Sequence, residues 1–118
     1  MLRFEKLRIW TEAVKYGNKI YDIADSLPKN EVFGLSSQLK RAAVSISSNI
    51  AEGAGSTTVK DFRKFLDISV KSTLETVSQV LFAQQRGYIE SNSSVETIRE
   101  EAEVLVKRVR SFKRSLQK

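Results

Sequence analysis

Apolar residues recur at steps of three and four along the whole chain and are interrupted only at short breaks, which calls for long amphipathic helices and leaves no strand-like alternation. The first helix is expected over about residues 5–26, with Trp10, Ala13, Val14, Gly17, Ile20, Tyr21 and Ala24 on one face. It stops at Leu27-Pro28-Lys29-Asn30, because proline lacks an amide hydrogen and biases its predecessor away from helical angles. The second, over about residues 35–52, carries Leu35, Leu39, Ala42, Ala43, Ile46 and Ile50 and exits through Gly53-Ala54-Gly55, which suits a left-handed C-cap. The third, over about residues 58–86, opens with Thr58 and Asp61 in a capping arrangement, buries Phe62, Leu66, Val70, Thr73, Val77 and Leu81, and stops at Gly87. The fourth, over about residues 94–117, opens on the capping box Ser93-Ser94-Val95-Glu96 and carries Val95, Ile98, Ala102, Leu105, Val109, Phe112 and Leu116. Breaks this short return each helix beside its predecessor. The expected fold is therefore all-α, an up-down-up-down antiparallel four-helix bundle forming one domain over residues 1–118.

Histidine and cysteine are both absent. That removes the commonest general base, the commonest metal ligand and all thiolate or disulfide chemistry. Glu52 and Glu75 are conceivable carboxylate ligands, but a di-iron bundle builds its site from Glu-x-x-His pairs, which this chain cannot supply. Ser72 beside Lys71 lacks an oxyanion-hole signature, and the glycines after Glu52 lack the spacing and the lysine of a phosphate loop. The chain is expected to be no enzyme, with no metal and no cofactor. No apolar stretch approaches the roughly 20 residues of a membrane span, and the N-terminus lacks a signal-type apolar region, so a cytoplasmic protein is expected.

Charge placement says more than the net charge of +6. In the fourth helix Glu90, Glu96, Glu100, Glu101 and Glu103 crowd the beginning, whereas Lys107, Arg108, Arg110, Lys113, Arg114 and Lys118 fill the end. This complements the helix dipole. In an antiparallel bundle it also brings those cations beside Arg3, Lys6 and Arg8 near the start of the first helix and Lys60, Arg63 and Lys64 at the start of the third. Glu5, Glu52, Asp61 and Asp67 dilute the patch without cancelling it. One end of the bundle is thus a candidate surface for RNA or DNA, engaging the phosphate backbone rather than the bases because few aromatics lie among the cations. The rival reading is a scaffold for an unidentified protein partner, with no nucleic-acid binding.

Arg41, Ser45, Ser48 and Glu52 follow one another at steps of four, three and four and, with Asn49, form a second, polar face on the second helix. That face is expected to meet Ser69, Ser72, Glu75 and Gln79 of the third helix in a hydrogen-bonded network or a subunit interface, with Arg41 pairing Glu75 or Glu52. A binding pocket is the alternative.

The run Gln38-Leu39-x-Arg41-Ala42-Ala43-Val44-Ser45-Ile46-x-Ser48-Asn49-Ile50-Ala51-Glu52-Gly53 resembles the bacterial four-helix-bundle proteins associated with intervening sequences of 23S ribosomal RNA genes. Phe4-x-x-Leu7-x-x-Trp10, Leu27-Pro28-x-x-Glu31-x-x-Gly34-Leu35, Phe62-x-x-Phe65-Leu66-x-Ile68, Ser72-x-x-Glu75 and Gly87-Tyr88-Ile89 extend the resemblance over nearly the whole chain. Two positions depart from that pattern: Lys71 replaces a glycine and Thr76 a leucine. The resemblance implies a four-helix bundle that assembles with itself as a ring-like homopentamer, without cofactor or catalytic residues.

Overall fold

The computed structural model describes Met1–Gln117. A 3-10 turn at Arg3–Lys6 leads into α1 (Arg8–Ser26), a second such turn at Lys29–Glu31 leads into α2 (Leu35–Ala54), and α3 (Val59–Gln85) and α4 (Asn92–Ser115) follow. Each helix packs against the next, and α4 returns to α1, closing an antiparallel up-down-up-down bundle 47 Å long and 25 by 22 Å across. Packing is densest between α2 and α3 and thinnest between α1 and α4.

The interior is one apolar cluster to which every helix contributes, with Ile20, Leu39, Ile46, Ile50, Leu66, Val80 and Val109 almost wholly out of water. Each such aliphatic side chain stabilises the fold by about 1.5–3 kcal/mol relative to exposure. The buried face of α1 is Ile9, Ala13, Tyr16, Gly17, Ile20 and Ala24, rotated from the expected one; Tyr21 faces outward. Along α3 the buried stripe is partly polar, because Ser69, Ser72, Thr73 and Thr76 alternate with Leu66, Val70 and Val80. These hydroxyls are satisfied locally: Thr73 donates to the Ser69 carbonyl at 2.9 Å, Thr76 to the Thr73 carbonyl at 2.6 Å, and Ser69 crosses to the Ile46 carbonyl at 3.0 Å.

Four boundaries differ from expectation, each for a local reason. Leu7 is extended, so α1 begins at Arg8 rather than near residue 5, and the preceding turn folds back to set Phe4 edge-on against Trp10 at 5.0 Å. Ser91, not Ser93, caps α4 by accepting the Ser94 amide at 3.3 Å, so the helix starts at Asn92. It ends at Ser115, with Leu116 extended, rather than at residue 117. α2 continues to Ala54, and Gly55 keeps a right-handed φ of −87°, so the left-handed cap expected there is absent. Gly53 matters instead for close approach: a Cβ on it would stand 2.8 Å from Phe62 Cδ1 and 2.9 Å from Phe65 Cβ. At the far end Gly87 has the left-handed φ of 81° and terminates α3, with the Tyr88 amide reaching back to the Ala83 carbonyl at 3.0 Å. Of the two departures from the family pattern, Lys71 points into solvent and disturbs no helix contact, whereas Thr76 is fully buried beneath Tyr16.

Candidate nucleic-acid interface

Among the described residues, the end of the bundle formed by the start of α1, the end of α2, the start of α3 and the end of α4 carries eleven of the chain's twenty lysines and arginines and only five of its fourteen acids. The geometry separates these cations into two groups. Arg3 lays its guanidinium over the Phe62 ring at 5.1 Å and donates to the Ala54 carbonyl at 3.4 Å, which fastens the N-terminal turn to the end of α2. Arg63 donates to the Leu116 carbonyl at 2.8 Å, and the end of α4 is held there. Arg8 and Arg108 both pair with Glu12, across a helical turn in one case and from α4 to α1 in the other. Lys113 pairs with Asp67 at 2.8 Å. These five residues stitch the end together.

Lys6, Lys60, Lys64, Lys107, Arg110 and Arg114 have no ion pair or side-chain hydrogen bond among the described residues, and all six are exposed. Lys118, also expected at this surface, lies outside the described residues. Lys107, Arg110 and Arg114 fall within about two turns of α4, about 10 Å along its axis at 1.5 Å per residue. Lys60, Arg63 and Lys64 of α3 and Lys113 of α4 border an open groove of about 730 Å³, with Asp67 as its acid. The helix carrying the first three of those cations is positioned by Thr58, whose hydroxyl accepts the Asp61 amide at 3.1 Å. Such a surface can neutralise phosphates by charge alone.

The polar seam between α2 and α3 divides. Ser45 and Ser72 share a hydroxyl–hydroxyl bond of 2.8 Å, and Asn49 donates to the Ser45 carbonyl and hydroxyl at 2.7 and 2.9 Å. Ser48, Arg41, Glu52 and Glu75 are exposed instead, and none of them belongs to an ion pair among the described residues. Helix phase explains the split. At about 100° per residue, Ser45 and Asn49 form the α3-facing edge of the stripe while Arg41, Ser48 and Glu52 lie farther round. The expected pairing of Arg41 with Glu75 or Glu52 is therefore corrected: Glu75 instead accepts a long bond, 3.4 Å, from Gln79.

At the opposite end, acids and bases nearly balance and several are paired: Lys40 with Asp25 at 2.6 Å, Lys19 with Glu101, and Arg99 with Glu96 at 3.5 Å. The Asp25 carboxylate raises the pKa of Lys40 by hydrogen bonding to its charged form. Glu31 accepts the Leu35 amide at 3.1 Å and the Tyr88 hydroxyl at 2.9 Å, and those bonds hold its carboxyl below the ordinary glutamate range. Inside the bundle, the Tyr16 hydroxyl meets Thr76 at 2.8 Å, and burial pushes the Tyr16 pKa up to about 12. Neither Glu12 as the clamp for two arginines nor the Tyr16–Thr76 contact was among the sequence expectations; Glu12 was legible as the i+4 partner of Arg8. No cluster of carboxylates among the described residues is arranged to hold a metal ion, and no described helix is long and apolar enough to cross a membrane.

A family signature described as 23S rRNA-intervening sequence protein matches residues 5–111, nearly the entire bundle. The chain belongs to this family. The intervening-sequence family match spans both the apolar seams and most of the cations of the basic end. The fold is similar to the crystal structure of a protein of unknown function from the S23 ribosomal protein family of Bacteroides thetaiotaomicron, with a TM-score of 0.81 at 22% sequence identity. The superposition covers 91% of this chain and 99% of that one. No curated protein sequence matches the chain significantly.

Proposed function

We propose that this member of the intervening-sequence family acts by binding rather than by chemistry, as a self-assembling bundle whose basic end engages the phosphate backbone of RNA or DNA. The observation that carries the reading is the group of six uncommitted cations, Lys6, Lys60, Lys64, Lys107, Arg110 and Arg114, gathered at one end while the neighbouring carboxylates Glu12 and Asp67 are already paired. A ligand neutralised by six cations gives a log–log salt slope of about −5, so affinity falls roughly a thousandfold between about 50 and 200 mM salt. Sequence preference is slight, because phosphate contacts carry none.

Self-assembly is supported by the outward apolar side chains Val44, Ile68, Leu74 and Phe82, which are 38 to 59% exposed in the isolated chain. The resemblance implies five copies. Light scattering at micromolar concentration tests this, and a monomer removes the assembly part of the reading. For the binding part, anisotropy titrations with labelled RNA and DNA are compared for the native protein and for Lys107→Glu, Arg110→Glu and Arg114→Glu combined. Loss of binding with an unchanged melting curve is expected. Absence of binding by the native protein at tens of micromolar and low salt leaves the second reading, a protein scaffold. That reading has its own observation, a groove of about 590 Å³ lined by Tyr21, Val32, Val44 and the almost fully exposed Phe33.

A further inference from the structure

Single strands are usually held by exposed aromatic rings and free guanidinium planes on which bases stack, whereas duplexes present only their phosphates and groove edges. At the basic end most stacking groups are already engaged, the exceptions among the described residues being the half-buried Phe65 ring and the guanidinium groups of Arg110 and Arg114. Phe4 packs against Trp10 at 5.0 Å and Phe62 against Phe112 at 5.5 Å, and the Phe62 ring is covered by Arg3. The exposed aromatics Tyr21, Phe33 and Phe82 all lie toward the opposite end. Four of the six arginines of the basic end, Arg3, Arg8, Arg63 and Arg108, are tied to a carbonyl or to Glu12. What remains is four lysines, which act as point charges, together with Arg110 and Arg114.

Resting on the polyanion reading above, we infer that the basic end selects double-stranded nucleic acid, RNA or DNA alike, over single strands. Five of the six uncommitted cations stand on α3 and α4, so their spacing is set by helices rather than by flexible loops. A duplex offers them a rigid array with one phosphate per about 1.7 Å of axis. A single strand has a lower charge density and loses conformational freedom when it is ordered against a fixed array, with little stacking to offset that loss.

The test is fluorescence anisotropy of the full chain at low salt with RNA and DNA probes of about 20 nucleotides, each as a single strand and as the matched duplex, in mixed sequence. Both duplexes are expected to bind at least about tenfold more tightly than either strand alone, since charge is the main source of affinity. Phe33→Ala is expected to leave every titration unchanged. A single strand that binds as tightly as its duplex, or a loss of binding on removing the Phe33 ring, overturns the duplex preference while leaving the polyanion reading standing. Failure of all four probes to bind overturns both.

Discussion

Tyr88 donates its hydroxyl to the Glu31 carboxylate at 2.9 Å, and the other oxygen of that carboxylate accepts the Leu35 amide at 3.1 Å. One side chain therefore caps α2 and ties the α1–α2 turn to the α3–α4 turn. The residue at the N-cap position, Gly34, has no side chain to do so, and a Cβ there would stand 2.6 Å from Glu31 Oε1. Because the folded-state pKa of Glu31 is lowered, its contribution is present above the unfolded value and is lost as pH falls through the folded one. Glu31→Gln is expected to lower the melting temperature at neutral pH and to shrink the loss of stability on acidification. Thermal melts of both proteins from about pH 7 to about pH 3 check this; parallel curves would refute it.

Tyr16→Phe removes the partner of Thr76, which still donates to the Thr73 carbonyl. A cost of about 1 kcal/mol is expected in urea unfolding. In the native protein Tyr16 has a folded pKa pushed up to about 12, so its contribution is complete below the unfolded value near 10 and is lost as pH rises toward the folded one. Alkaline absorbance titration should show a tyrosine step at about pH 12 that vanishes in Tyr16→Phe.

Gly53→Ala drives a methyl group into Phe62 and the backbone-proximal Cβ of Phe65. The expected destabilisation is about 1–3 kcal/mol, with α2 and α3 forced apart. Gly87→Ala has open space around it but a φ of 81°, so only backbone strain of about 1 kcal/mol is expected. Chemical denaturation of the two variants should rank them in that order.

The two groups of cations at the basic end should separate experimentally. Arg63→Ala removes the bond that holds the Leu116 carbonyl and is expected to cost about 1 kcal/mol of stability. Arg110→Ala, which removes an exposed side chain with no ion pair or hydrogen bond among the described residues, should leave stability within about 0.5 kcal/mol while weakening polyanion binding. Equal effects of the two variants on both measurements would show that the division is wrong.

Arg41→Ala should likewise change the melting temperature of the protomer little, within about 0.5 kcal/mol, because the guanidinium is exposed and unpaired among the described residues. A large loss of stability would instead restore the buried pair with Glu75.

Helix count, order and antiparallel topology were legible because Leu39, Ile46 and Ile50, or Val95, Ile98 and Val109, repeat cleanly and because Pro28 and Gly87 stop their helices on local chemistry alone. The face of α1 was misread because Trp10 and Tyr21 weigh heavily in any apolar pattern, whereas Tyr16, beside charged Lys15, is the aromatic that packs inside against Thr76. The Arg41–Glu75 pair failed because residues on one helical stripe still differ in angle by enough to decide which of them touches the neighbouring helix. Convergence of the basic residues at one end followed from topology. Which of them are already engaged did not, since carbonyl partners such as those of Ala54 and Leu116 depend on where the chain ends fold back, and no pattern of side chains encodes that.

The unequal ends also make the bundle an electric dipole laid along its 47 Å axis. A nearby polyanion exerts a torque before it makes any contact, turning the long axis toward itself so that arrival is end-on. At physiological salt that torque acts only within about 8 Å, so alignment belongs to the last moments of an encounter and fades as salt is added.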